Sequence, residues 1–370
     1  MNDSPARSSA TSNADVAARV AATIRPEIRA LTAYHVVKAE QMIKLDAMEN
    51  PYALPADVRA RLGSALADVE INRYPDGAAD TVKRALRASL ALPDEVALIV
   101  GNGSDEVLQL ITTAVARPGA AVVAPDPSFV MYRLYAVYAS ARYVTVPLRD
   151  DFGLDVDAML KTVEREQPAL VWIAYPNNPT GNLFDGDAVE AIIRAAPGLV
   201  VVDEAYYAFA DRSFLPRVLE FANLIVVRTV SKIGMAGLRL GYAAAHPAWV
   251  AELEKVRPPY NVNALTQAAV PLLLAERGLL ESQATAIRAE RARLATALSD
   301  VPGVVIYPTA TNFVLARVPD ARAWFARLRD AGILVKNLHG WHPLLADCLR
   351  ITVGTPVEND ELLRVLKPTP

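Results

Sequence analysis

The sequence predicts an α/β protein, in which a large domain with a mostly parallel sheet flanked by helices is joined to a smaller α+β domain. Three observations carry this. From Val96 to about His246, short apolar runs alternate with segments of helical length and periodicity. Runs such as Leu199–Val202 are continuous Val/Ile/Leu stretches, the mark of strands covered on both faces. Beyond Pro247 the regular alternation stops, and helices and strands follow in the irregular order of an α+β unit.

The elements follow in order. Val16, Val20, Ile24 and Ile28 recur at helical spacing between Asp15 and Arg29, with Pro26 interrupting. A short strand is expected in the stretch from Ile43 that ends at Asn50-Pro51, then helices over Pro55–Leu66 and Asp80–Leu90, with Asn72–Gly77 as a turn exposing Tyr74. Strands are expected at Val96–Val100, Ala121–Ala124, Arg142–Val146, Leu170–Tyr175, Leu199–Val202 and Leu224–Arg228. Helices are expected at Asp105–Ala116, Phe129–Ala139, Asp155–Arg165 and Asp187–Ala195. Strands separated by helices imply right-handed crossovers. The last third reads as helices at Ala264–Leu274, Leu279–Ser299, Ala321–Ala331 and Asn359–Leu366, with strands at Val304–Tyr307, Phe313–Val318, Ile333–Val335 and Leu349–Val353.

At 370 residues the chain is long enough for two domains without disulfide support. A formal net charge of −3 supplies no basic field, which argues against nucleic acid and anionic membrane surfaces as partners. No apolar run approaches the ~20 residues needed to cross a bilayer. The start, Met1–Asn13, is small and polar and lacks the apolar segment of a secretory signal, and the lone Cys348 suits a reducing compartment. A cytoplasmic protein is expected. His339 and His342 have a spacing that metal sites sometimes use, but no Cys or carboxylate cluster accompanies them, so no metal is expected.

Ligands of open parallel sheets bind beyond the carboxyl ends of the strands. The residues in those places are Gly101–Asp105, Pro176–Gly181, Asp203–Tyr206 and Thr229–Lys232. Gly101–Ser104 opens a helix and either presents free amides to a phosphate or is a tight turn with Ser104 as N-cap. Asn178 lies in a turn and has an amide to donate. Asp203 ends an apolar strand and needs a cationic or hydrogen-bonding partner, which a structural salt bridge would equally provide. Tyr206 faces the same cleft or the core. Lys232 follows the strand Leu224–Arg228 and is either a solvated loop residue or an amine nucleophile made reactive by burial. Arg239 suits bidentate anion recognition or a plain ion pair. Together the set matches an aldehyde cofactor with a phosphate tail, a phenolic oxygen and a pyridine nitrogen: amine, carboxylate, neutral donors and phosphate ligands are all present.

At these residues the chain resembles the fold-type I pyridoxal-phosphate aminotransferases, and within them the histidinol-phosphate aminotransferase subgroup. The motifs that carry the resemblance are Leu31–Tyr34, Glu49–Tyr52, Arg73–Gly77, Gly103–Glu106, Pro176–Gly181, Asp203–Tyr206, Ser231-Lys232, Ala236–Arg239 and Cys348–Gly354. The resemblance implies pyridoxal 5'-phosphate as cofactor, Lys232 as Schiff-base lysine and general base, Asp203 on the pyridine nitrogen, and Tyr206 and Asn178 on the phenolic oxygen. It places the Ser104 and Asp105 amides, Thr229, Ser231 and Arg239 around the phosphate and Phe129 over the ring. Tyr74 of the partner subunit would complete the site in a homodimer. Tyr34, Arg350 and Lys336 would contact substrate, with Arg350 reading the anionic group of a phosphorylated amine or a 2-oxo acid. The implied organisation is a disordered tail over residues 1–15, part of the small domain over 16–50, the large cofactor-binding domain over 51–262 and the rest of the small domain over 263–370.

The chain departs from the subgroup's pattern at four places. The Lys232–Arg239 interval is one residue short, Phe129 stands where tyrosine is frequent, Met48 where asparagine is common, and Lys336 where a second substrate arginine is often found. The implied reaction is transamination between L-histidinol phosphate and 2-oxoglutarate. An aromatic amino-acid aminotransferase, a threonine-phosphate decarboxylase-like enzyme and a non-catalytic cofactor-binding regulator are the alternatives.

Overall fold

The computed structural model describes residues 12–33, 37 and 39–366. The chain divides into two compact units, Met1–Lys38 and Ala39–Pro370. In the first, Asn13–Thr23 is an α-helix and Pro26–Arg29 a further helical turn that starts on its proline. The Ser12 hydroxyl accepts from the Asp15 amide while Asp15 reaches back to the Ser12 N–H, a capping box. That box starts the helix at Asn13, inside the last residues of the expected tail; residues 1–11 of that tail lie outside the described residues.

Among the described residues the second unit holds twelve strands: β1 (Ile43–Leu45), β2 (Ala97–Asn102), β3 (Ala121–Asp126), β4 (Arg142–Pro147), β5 (Leu170–Ala174), β6 (Leu199–Asp203), β7 (Leu224–Thr229), β8 (Leu240–Ala245), β9 (Val305–Ile306), β10 (Phe313–Arg317), β11 (Ile333–Asn337) and β12 (Cys348–Thr352). Seven of them form one sheet in the order β2-β8-β7-β6-β5-β3-β4. Neighbours run parallel except β8, which is antiparallel to both β2 and β7. The unbroken apolar runs are explained by burial on both faces. Along β6, Val200 and Val202 join a core with Val171, Ile173 and Val226, whereas Leu199 and Val201 join a second core with Leu170, Trp172 and Ile225. Each such fully buried side chain contributes roughly 1.5–3 kcal/mol relative to exposure.

The strand β8 was not expected. Its sequence, Leu-Gly-Tyr-Ala-Ala-Ala, lacks the β-branched bulk that marks the other strands, yet all six residues are buried. The helix Pro247–Glu254, opened by a proline after His246, was likewise unassigned. The consequence for function lies in direction. Because β8 runs against its neighbours, its start lies at the edge where β2, β6 and β7 end, with Gly241 opposite both Gly101 and Thr229.

The remaining strands form a five-stranded sheet in the order β1-β11-β12-β10-β9. Only the β1–β11 pair is parallel, which suits the expected α+β character. Leu45, Phe313, Val335 and Ile351 of this sheet pack with Ile287 and Leu294 of the helix Arg277–Ser299. β1, which precedes the large sheet, thus pairs with a strand from the end of the chain.

Candidate active site

A cleft of about 390 Å³ opens at the carboxyl edge of the large sheet. Its lining includes ten residues expected from the sequence: Ser104, Asp105, Phe129, Asn178, Asp203, Tyr206, Thr229, Ser231, Lys232 and Arg239. Each is delivered by a strand end. Ser104 starts the helix after β2, Phe129 follows β3, Asn178 follows β5, Asp203 closes β6, Thr229 closes β7, and Arg239 immediately precedes β8.

Lys232 sits in a 3₁₀ turn, Ser231–Ile233, directly after β7. Its Nζ donates to the Ala47 carbonyl at 3.3 Å and lies 5.9 Å from the centre of the Tyr206 ring. Burial, with the Arg350 and Arg239 guanidiniums nearby, brings the amine down to about 8, against the pull of Glu49 and Asp105. Lys232 is therefore no solvated loop residue. The short Lys232–Arg239 interval is spanned by two 3₁₀ turns, with Gly234 at φ +107° and Arg239 itself at φ +50°.

Asp203 accepts from the Tyr132 hydroxyl at 2.8 Å and from the Ala205 amide at 3.1 Å. Neither partner is a cation, so the structural salt bridge left open by the sequence is not what holds it. Burial pushes its carboxyl up to about 6, although both hydrogen bonds favour the charged form. A buried carboxylate in this state suits a cationic ligand group, such as a protonated pyridine nitrogen would supply. Tyr132 was missed by the sequence reading. It lies fully buried in the helix Met131–Tyr138, stacks on Trp172 with ring centres 5.0 Å apart, and meets Phe129 edge-on at 5.5 Å.

Next to Asp203, Glu204 has the cation that Asp203 lacks. Arg228 donates to its Oε2 through Nε (2.9 Å) and Nη2 (2.8 Å), and lies 4.0 Å from the Tyr207 ring centre. Both side chains are buried, so the pair neutralises itself beside the cleft.

The opposite end of the cleft fits a phosphate. The helix Ser104–Val115 has Gly103 at its N-cap and no side chain capping its first amides. Ser104 is thus the first helical residue rather than the cap. Gly103 has φ +88°, and a Cβ there would lie 2.6 Å from Arg239 Nη2, so glycine lets the guanidinium approach the helix start. At Gly241 a Cβ would meet the Ser104 amide nitrogen at 2.1 Å, so the helix packs directly on β8. Arg239 Nη2 is 3.8 Å from Asp105 Oδ2 and half-exposed, a loose pair that leaves the guanidinium able to take an anion. The Thr229 hydroxyl accepts from the Ser231 amide (3.1 Å) and donates to the Leu240 carbonyl (3.1 Å), with the Ser231 hydroxyl 2.9 Å away. Uncapped amides, two hydroxyls and an arginine form an anion cradle.

Asn178 Oδ1 accepts from Arg350 Nη1 at 2.6 Å, which leaves its amide N–H groups to donate. Arg350 is buried, and its Nη2 donates to the Asp46 carbonyl at 2.9 Å. Lys336 stands opposite Arg350 in the β11–β12 register. Burial, then the Arg350 charge, lowers its amine, and its Nζ lies 4.7 Å from the Trp341 ring centre. Tyr74 is 83% exposed and stacks on Tyr260 at 4.6 Å, and it is not among the residues lining the cleft. Tyr34 lies outside the described residues. His339 and His342 use Nδ1 to accept from the Asp347 and Leu344 amides, which makes them turn-capping residues.

The sequence of residues 40–366 matches the aminotransferase class I and II family. The chain belongs to that family. It is 54% identical to the histidinol-phosphate aminotransferase of Chromobacterium violaceum, over 93% of this chain and 97% of that protein. It is 53% identical to histidinol-phosphate aminotransferase 1 of Ralstonia nicotianae, over 92% of each. Among solved structures, the histidinol-phosphate aminotransferase of Sinorhizobium meliloti in complex with pyridoxal-5'-phosphate superimposes with a TM-score of 0.83 at 30% identity, covering 93% of this chain and 96% of that one. The family's fold type I, with its two sheets, is the architecture described above, and its cofactor is the group whose chemistry the cleft fits.

Proposed function

We propose that this aminotransferase exchanges an amino group between L-histidinol phosphate and 2-oxoglutarate, forming imidazole-acetol phosphate and glutamate in histidine biosynthesis. The observation that carries the chemistry is the meeting, in one cleft, of the Lys232 amine, the buried Asp203 carboxyl held by a phenol and an amide, and the anion cradle of the Ser104 helix start and Arg239. The substrate assignment is supported by the names of relatives at 53–54% identity over more than nine-tenths of the chain. Pyridoxal 5'-phosphate supplies an aldehyde that condenses with amines and a protonated ring that draws electrons from the substrate Cα.

The remaining work falls to side chains. Asp203 holds the proton on the ring nitrogen, and Tyr132 holds Asp203. Tyr206 and Asn178 donate to the phenolic oxygen, and Phe129 covers the ring. The Ser104 and Asp105 amides, Thr229, Ser231 and Arg239 bind the phosphate. Lys232, once its amine is free, would take the substrate Cα proton and deliver it two atoms away, to the carbon that was the cofactor's aldehyde. Arg350 binds the carboxylate of the 2-oxo acid or the phosphate of the amine, with Lys336 as the second cation. Because one product leaves before the second substrate enters, the kinetics are ping-pong.

The reading includes a cytoplasmic homodimer in which Tyr74 of the partner subunit reaches the phosphate. Its support is the exposed Tyr74 ring, stranded outside its own cleft. Among the described residues no helix is long and apolar enough to cross a membrane. Residues 51–262 serve as the cofactor-binding domain and 263–370 as the smaller one, which β1 joins by pairing with β11. Comparing kcat/KM on histidinol phosphate, phenylalanine and threonine phosphate tests the substrate. A preference for either of the latter two overturns it.

A further inference from the structure

The turn Ala47–Glu49 lines the cleft beside Lys232. Met48 in it is left-handed, with φ +53°, a conformation that costs a non-glycine residue roughly 1–2 kcal/mol. Two side chains behind the cleft hold that peptide from both sides. The Met48 N–H donates to Thr352 Oγ1 at 3.0 Å, and the Met48 carbonyl accepts from Asn312 Nδ2 at 2.9 Å. Asn312 is fully buried and Thr352 is 3% exposed, and neither lines the cleft.

The same turn meets the two cations of the proposed reaction. The Ala47 carbonyl accepts from Lys232 Nζ at 3.3 Å, and the preceding Asp46 carbonyl accepts from Arg350 Nη2 at 2.9 Å. Arg350 and Thr352 lie two residues apart on β12, hence on one face of the strand, and both reach the turn.

We propose that Asn312 and Thr352 are positioning residues. By fixing the Met48 peptide they hold the Ala47 carbonyl against the Lys232 amine and the Asp46 carbonyl against Arg350, so one strap orients the reacting nitrogen and the anion-reading guanidinium together. The inference rests on Lys232 as the reacting amine. The other groups facing that amine are the Arg350 and Arg239 cations, the Glu49 and Asp105 carboxylates and the Tyr206 ring. Ala47 contributes a neutral acceptor that favours the ammonium, so slackening the strap removes that support and the amine loses its proton at lower pH.

Two readouts test this. In the apoprotein, the pH dependence of Lys232 acylation by acetic anhydride is followed by peptide mass spectrometry. Thr352→Val lowers the half-point by about 0.5–1 pH unit, the equivalent of one ordinary hydrogen bond, while Thr352→Ser keeps the hydroxyl and the wild-type half-point. In the holoenzyme, Thr352→Val raises KM for 2-oxoglutarate roughly three- to tenfold and Thr352→Ser stays within about twofold. If Thr352→Val does not fold, Asn312→Ala, which removes the other clamp, carries both measurements with the same expectation. A wild-type half-point and KM in the valine variant, or a serine variant as impaired as the valine one, overturns the proposal. Acylation needs neither cofactor nor substrate. A holoenzyme without transaminase activity whose apoprotein still shows the expected shift therefore sinks the proposed reaction and leaves the strap standing.

Discussion

Replacing Asp203 by Asn is expected to stabilise the apoprotein while disabling the holoenzyme. The carboxyl is buried and pushed from 3.8 up to about 6, so at pH 7.5 it is an anion whose hydrogen-bond partners among the described residues are a phenol and an amide. A shift of this size corresponds to about 3 kcal/mol of unfavourable free energy in the apoprotein. Asparagine keeps the Ala205 contact through Oδ1 and reverses the other, Nδ2 donating to the Tyr132 oxygen at the expense of the phenol hydrogen's acceptor. Allowing for less favourable geometry, a net gain of roughly 1–3 kcal/mol remains. The sign follows from linkage. With a folded value above the unfolded one, the folded state binds more protons between about pH 4 and 6, so the penalty is absent below that window and complete above it. Urea denaturation of the cofactor-free wild type and Asp203→Asn at pH 7.5 and pH 4 measures this. The variant should be more stable at pH 7.5 and equal at pH 4, with turnover of the loaded enzyme down by on the order of 10²-fold or more. An apo variant less stable than wild type at pH 7.5 would show that Asp203 is already compensated within the protein, and the reasoning that assigns it to a pyridinium would fail.

Other outcomes follow from the same geometry. Lys232→Ala should reduce multiple turnover by at least about 10³-fold, read as glutamate formed per active site. Tyr132→Phe leaves one Asp203 oxygen without its donor and should cost about 1–3 kcal/mol of stability; the Asp203 carboxyl should also move further upward, visible by NMR titration of the apoprotein. Gly103→Ala places a Cβ against Arg239 at an extended, positive-φ backbone position and should weaken cofactor affinity while costing about 1–3 kcal/mol, measured by cofactor titration and denaturation. Arg228→Met strands the buried Glu204 and should destabilise by roughly 3–5 kcal/mol, checked by the denaturation midpoint; a change below about 1 kcal/mol would mean the pair is not desolvated.

The residues legible in the sequence share one property: they follow long apolar strands, where chain direction alone sends them to one edge. Lys232, Asp203, Asn178 and the Gly103–Asp105 turn belong to this group. Arg239 was found by motif, but its arrival at the edge depends on β8, whose glycine and alanines hide a buried strand from any propensity argument. Tyr132 was invisible for a different reason. It lies in mid-pattern on an aromatic-rich helix, and its partner Asp203 is 71 residues away, so only tertiary structure joins them. The Ala47 and Asp46 acceptors are backbone carbonyls, which every residue carries, and no side-chain pattern marks them. Tyr74 was legible as exposed, and within one chain it remains so, stacked on Tyr260.

The proposed transamination is measured by mixing the purified, cofactor-loaded protein with histidinol phosphate and 2-oxoglutarate and following glutamate while both concentrations vary. Glutamate should depend on both substrates and give parallel double-reciprocal lines, and the signal should be lost in Lys232→Ala. Absence of glutamate from the wild type, or undiminished glutamate from Lys232→Ala, would contradict the proposed reaction.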